Sequence, residues 1–96
     1  MAYRLSVAAA QDVIEIHARS IELFGPRQAD AYHDRLIEAF GLIAANPAIA
    51  RERTEITPPV RVHPVGTHLV IYVESGPDVL VVRVRHARED WTGDTP

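Results

Sequence analysis

The sequence predicts an α+β domain, with a helical hairpin packed on one face of a small, mainly antiparallel sheet. Three observations carry this. Apolar residues recur every three to four positions up to residue 45 and every second position from residue 60 onward. Only Gly25-Pro26 separates the two helical stretches, so those helices must fold back on each other. Short reversals at Pro64–Thr67 and Ser75–Asp78 join the later strands, which gives a meander. The element order is β-α-α-β-β-β.

"AYRLS" alternates and reads as a first strand, joining an edge of the sheet. Ser6 is suited to cap the helix that follows, because its hydroxyl can accept an orphan backbone N–H. From Ala8 to Phe24 the stripe Ala10, Val13/Ile14, His17, Ile21 and Phe24 predicts a helix with one buried face. Gly25 stops it, and Pro26 opens a second helix over Arg27–Ala45, with the stripe Ala29, Tyr32, Leu36, Ala39/Phe40 and Ile43. Asn46-Pro47 ends that helix. Residues 47–59 read as irregular, since Pro58-Pro59 excludes a central strand.

"VRVHPV", "HLVIYVE" and "VLVVRVRH" are the three later strands. Alternation places Leu80, Val82 and Val84 on one face of the last strand, with Leu69, Ile71 and Val73 and with Val60 and Val62 of its neighbours. This wholly apolar set is expected to face the helices. The other face then gathers Arg61, His63, His68, Tyr72, Arg83 and Arg85 around Val70, Val79 and Val81. An open face with an apolar centre and a polar rim marks a binding surface.

Composition narrows the function. Ninety-six residues make one domain, spanning residues 1–96, with room for one core. There is no cysteine, so no disulfide framework and no thiolate metal site. The net charge of −3 argues against a general nucleic-acid binder. All ten basic residues are arginine. Arginine suits bidentate recognition of carboxylate or phosphate, though codon bias in a GC-rich genome is the weightier explanation. No signal h-region and no membrane-length apolar run occurs, so a cytoplasmic location is expected.

Five histidines raise a metal reading. There is no HExxH. His17 and His33 lie on different helices, and His63 and His68 flank a turn across which they can face each other, but two ligands do not hold zinc. Neither a metal nor another cofactor is expected. Arg61, His68, Arg83, Arg85 and His86 supply the residue types of a ribonuclease site, namely a base, an acid and cations for a phosphorane. No tuned constellation is visible, and they better suit strand ends capped by His68 and His86, with Arg83 and Arg85 meeting an acidic partner or water. His86 is in phase with Val82 and Val84, which favours a packed histidine. No GxSxG, P-loop or GxGxxG is present. Trp91, in the polar tail "REDWTGDTP", either anchors a partner or packs back on its own domain.

Read end to end, the chain resembles the ParE branch of the RelE/ParE toxin superfamily. "YRLSVAAAQDVIEI" is similar to the family's opening strand and helix, and "FGPRQADAYHDRL" to its second helix, hinged at a glycine. Pro47, Arg51, Arg61, Gly66, His68, Ile71 and Tyr72 match the middle segment; Arg83, Val84, His86 and Asp90 match the closing strand. Ala50 stands where the family usually has glycine, and Arg85 where it usually has leucine.

The resemblance implies a toxin of a type II toxin–antitoxin pair that arrests growth. It would form a hetero-oligomer with a ParD-like antitoxin, a ribbon-helix-helix protein whose disordered tail folds onto the toxin. The family's usual activity is inhibition of DNA gyrase, with no catalytic residue and no sequence-specific DNA binding by the toxin itself. Arg61, His68, Arg83, Arg85 and His86 are then candidates for contacting the target, and Val70, Tyr72, Val79, Val81 and Trp91 for binding the antitoxin. RelE-like relatives instead cleave mRNA on the ribosome with lysines, arginines and a C-terminal tyrosine. This chain has no lysine, and its tail has no tyrosine. An antitoxin-binding module without toxicity is the remaining alternative.

Overall fold

A computed structural model describes residues 2–89. Strand β1 (Tyr3–Leu5) leads into helix α1 (Val7–Phe24). Ser6 caps α1: its Oγ accepts the Ala9 N–H at 2.9 Å and donates to the Val82 carbonyl at 2.7 Å. One hydroxyl thus starts the helix and fastens it to the sheet. Gly25, at φ +85°, ends α1 and begins helix α2 (Pro26–Ala45). Pro26 takes the first helical position, where a missing N–H costs nothing.

A 3-10 turn over Pro47–Ile49 and strand β2 (Glu52–Arg53) lie within the stretch expected to be irregular. Strands β3 (Val60–Val65), β4 (His68–Ser75) and β5 (Asp78–His86) form the meander. The five strands run in the order β1-β5-β4-β3-β2. β1 pairs parallel with β5, and every other pairing is antiparallel. The turns are tighter than expected, with Gly66 and Gly76 at positive φ between the paired strands. No helix among the described residues is long and apolar enough to cross a membrane.

The fold class agrees with the sequence reading, but the facing of the sheet does not. Val70, Tyr72, Val79 and Val81 lie beneath the helices with none of their surface exposed. They pack with Ala9, Val13, Leu36, Phe40 and Ile43. These four residues were expected to be open to a partner and are the centre of the core. Of the residues expected in the core, Val84 does lie there, whereas Val60, Val62, Ile71 and Val82 form a smaller cluster on the opposite face, with Ile56, Leu69, Val73 and Leu80 packed against it.

Two physical causes explain the inversion. First, polar atoms on the inner face reach its rim. The Tyr72 hydroxyl donates to the Pro47 carbonyl at 2.7 Å, and Arg61 donates to the Ala50 carbonyl at 2.6 Å. A buried ring with a satisfied tip is compatible with a core. Second, the β4–β5 register slips between Ile71 and Tyr72, leaving Val82 as the extra residue of a β-bulge. Val81 and Val84 therefore both belong to the inner core although three residues apart.

The stripe on α1 is also displaced. Its buried residues are Ala9, Asp12 and Val13, whereas Ile14, Ile21 and Phe24 are exposed. The stripe on α2 is as expected, with Ala29, Leu36, Ala39, Phe40 and Ile43 buried.

Candidate functional site: a basic groove between the first helix and the last strand

β1 pairs with β5 only as far as Val81, so the rest of β5 runs free of it beside α1. Between α1, the first turns of α2, the β3–β4 turn and the end of β5 lies a groove of about 910 Å³. Arg19, Arg35, Arg83, Arg85, His68 and His86 line it, with Asp12, Glu15 and Glu89 among them. Leu23 and Phe24 supply an apolar end.

Asp12 is a buried carboxylate holding α1 to β5. Its Oδ2 accepts from Arg83 Nε at 2.8 Å and from the Val84 N–H at 3.0 Å, and its Oδ1 accepts from Arg83 Nη2 at 3.0 Å. A bidentate guanidinium with a backbone donor is a geometry that compensates burial of charge. Arg83 therefore serves the structure as well as the groove wall.

Tyr32 closes the groove from α2. Its hydroxyl donates to the Val65 carbonyl at 2.9 Å and lies 2.7 Å from His68 Nδ1. The hydroxyl has one hydrogen, so the second bond requires a proton on His68 Nδ1. Gly66 lies against this ring: a Cβ there would stand 2.7 Å from Tyr32 Cε1. The glycine is required both by φ +56° and by contact. The Arg35 guanidinium lies over the Tyr32 ring, 5.6 Å from its centroid.

His68 and His86 are directly opposite in the β4–β5 pair, with ring centroids 5.4 Å apart, edge to face. His63 pairs with Val70 and His68 with Val65, so His63 and His68 are not cross-strand partners. Burial, and then the charge of His86, push the His68 pKa below the usual histidine value. His86 Nδ1 accepts the Arg88 N–H at 3.1 Å. Glu89 folds back so that Oε1 accepts the His86 N–H at 3.2 Å and Oε2 pairs with Arg85. Partial burial opposes the charge on Glu89, yet the His86 N–H and Arg85 outweigh it and hold its pKa below the carboxylate norm.

Of the residues singled out from the sequence, His68, Arg83, Arg85 and His86 come together here. Arg61 does not: it lies with Glu74 at the other end of β3 and β4. Trp91 lies outside the described residues. Asp12, Tyr32, Glu89 and the two helix arginines were missed. The signal for Asp12 was available, since an acid beside Val13 on the buried side of α1 needs a cation.

The structure holds no group of three or more His, Asp or Glu placed for a metal ion among the described residues. His17 and His33 do meet, with ring centroids 5.3 Å apart, and His17 Nε2 bonds Asp30 Oδ1 at 2.8 Å, bridging α1 and α2.

Residues 3–91 match in sequence a family described as "ParE toxin of type II toxin-antitoxin system, parDE". The class is thus a toxin of a type II toxin–antitoxin system. The chain belongs to the ParE toxin family. It is 38% identical over 89 residues to "Toxin ParE1" of Mycobacterium tuberculosis (strain CDC 1551 / Oshkosh), covering 92% of this chain and 91% of the relative. The same identity and coverage hold for "Toxin ParE1" of Mycobacterium tuberculosis (strain ATCC 25618 / H37Rv). In fold it matches a chain of the "Chromosomal ParDE TA system from P. aeruginosa" with a TM-score of 0.78. That match is 18% identical in sequence and covers 90% of this chain and 95% of the other.

Proposed function

We propose that this toxin is held silent by a ParD-like antitoxin and, when freed, inhibits DNA gyrase and so arrests replication and growth in the cytoplasm. Family membership over nearly the whole chain is the observation that carries this reading. The groove supports the antitoxin half. An acidic, partly apolar tail that folds on binding suits a trough lined by Arg19, Arg35 and Arg85 and ending in Leu23 and Phe24. Rim charges of this kind set association rate and orientation more than affinity.

The toxin acts by binding, without cleaving RNA. In the groove, His68 and His86 touch each other and are engaged by Tyr32 and the Arg88 N–H. These bonds hold Nδ1 of both rings within the chain. Arg83 and Arg85 bond Asp12 and Glu89.

Pulse labelling after induction tests the proposal. Thymidine incorporation should fall before methionine incorporation, and co-expression of the cognate ribbon-helix-helix protein should restore both. An earlier fall in methionine incorporation, with codon-dependent cuts in primer extension, would replace gyrase with a ribosome-dependent nuclease. No growth effect would leave an antitoxin-binding module.

A further inference from the structure

His68 and His86 stand side by side in the groove, and each is tied to the chain through Nδ1. Neither Nε2 has a hydrogen-bond partner among the described residues. The two anchors fix opposite tautomers. The Tyr32 hydroxyl gives its one hydrogen to the Val65 carbonyl, so a neutral His68 carries its proton on Nδ1 and leaves Nε2 bare. His86 Nδ1 accepts the Arg88 N–H, so a neutral His86 carries its proton on Nε2. The neutral pair therefore offers the groove one acceptor and one donor. A single proton on His68 makes it two donors and adds a positive charge.

The surroundings make that proton conditional. Helix α1 contributes Asp12, Glu15 and Arg19 to the lining, and α2 contributes Tyr32 and Arg35. β5 and the turn after it add Arg83, Arg85 and Glu89. Four arginines thus face three carboxylates, an excess of one positive charge that a proton on His68 raises to two. Arg83 and Arg85 are held by Asp12 and Glu89, and Glu15 accepts from Gln11. Arg19 and Arg35 are exposed and form no ion pair among the described residues. Burial and the neighbouring His86 oppose a proton on His68 more than Glu89 favours it, which keeps the ring below the usual histidine pKa. An anion against Nε2 reverses that balance.

We infer that this groove binds a small oxyanion of the phosphate class, drawn in by Arg19 and Arg35 and gripped by Nε2 of both imidazoles, and that binding takes up a proton on His68. Charge and donor geometry select the occupant. Adjacent N–H donors flanked by guanidiniums match an anion with several acceptor oxygens. Free phosphate and the phosphate of a nucleotide share this chemistry; a nucleotide also offers a base to the exposed Phe24 ring at the apolar end. If the groove holds the antitoxin, a bound oxyanion would compete with it under mildly acid conditions. That consequence rests on the function proposed above; the site does not.

Calorimetric titration of the full chain with sulfate, at constant ionic strength, tests the site, because sulfate remains a dianion throughout. Affinity should rise by up to about tenfold per pH unit on going down from about pH 7.5, with about one proton taken up per anion bound. His68→Gln should abolish the pH dependence and leave binding weak throughout. Tyr32→Phe should do the reverse. With Nδ1 released, the neutral ring can place its proton on Nε2, so binding near neutral pH should strengthen and the pH dependence shrink. Arg35→Gln should weaken binding about fivefold at every pH, and Arg27→Gln, outside the groove, should change nothing. Circular dichroism verifies that the variants fold. Adenosine monophosphate in place of sulfate separates the sources: weakening by Phe24→Ala supports a nucleotide, and indifference to it supports free phosphate. Nitrogen-15 NMR of the parent protein near neutral pH should find the ring protons on His68 Nδ1 and His86 Nε2. A neutral His68 protonated on Nε2, an affinity that ignores pH, proton uptake that survives His68→Gln, or sulfate bound no more tightly than chloride would each overturn the inference. No gyrase or antitoxin enters the measurement, so its failure is separable from failure of the proposed function.

Discussion

Replacing Asp12 by alanine should be among the most damaging single changes on α1. Its carboxylate receives three bonds, two from the Arg83 guanidinium and one from the Val84 N–H. Losing a charge-assisted pair costs about 1.5–3 kcal/mol, and an orphaned buried N–H roughly 1–3 kcal/mol. The Arg83 side chain remains 21% exposed, so water recovers part of the first cost. A loss of roughly 3 kcal/mol follows, at the low end for breaking a buried pair. For a domain of this size that lowers Tm by roughly 12–24 °C. Asp12→Asn keeps an acceptor for the Val84 N–H and should cost only about 1–1.5 kcal/mol. Urea titration followed by circular dichroism, with Arg83→Met completing a double-mutant cycle, measures both terms. An alanine variant within about 0.5 kcal/mol of the parent, the range of an ordinary surface change, would refute the claim that this carboxylate pins α1 to β5.

Four further sets of outcomes follow from the same geometry. Val79→Asp should leave the chain unfolded by circular dichroism, because it places a charge in the centre of the core, whereas a folded variant would contradict the inner facing of β5. Gly66→Ala should cost roughly 2–3 kcal/mol through left-handed strain and collision with Tyr32, and Tyr32→Phe about 1–2 kcal/mol through lost hydrogen bonds, both read from denaturant midpoints. His68 has a pKa below its unfolded value of about 6.5, so its contribution is present above that pH and is lost as pH falls through the folded value; stability should therefore decline on mild acidification, with His68→Asn flattening the profile at pH values above the carboxylate range. In calorimetric titration with the antitoxin, Arg85→Ala should weaken binding by about 1 kcal/mol, roughly fivefold, and a larger effect would mean that this arginine anchors the interface.

Much of the fold was legible in the sequence because its signals are local. Ser6, Gly25-Pro26, Asn46-Pro47 and the glycines of the two β-turns punctuate the chain, and each acts through its own backbone preferences. The facing of the sheet was not legible. Both faces of β4 and β5 are rich in valine, isoleucine and leucine, so alternation alone leaves the sign undetermined. Polar tips ordinarily mark the solvent side, and Tyr72 and Arg61 defeat that rule by bonding carbonyls at the core's rim. A bulge at Val82 is equally silent in the sequence, since it is a property of the pairing. Four of the site residues named from sequence do converge, because the strand end that carries Arg83, Arg85 and His86 is brought by the meander beside His68. The helix residues that complete the groove needed the tertiary packing of α1 and α2 to be known.

Gyrase inhibition is tested most directly with purified components. Supercoiling of relaxed plasmid by DNA gyrase should be inhibited as this protein is added, and restored by an equimolar amount of its cognate antitoxin. Undiminished supercoiling in the presence of excess folded protein would contradict the account.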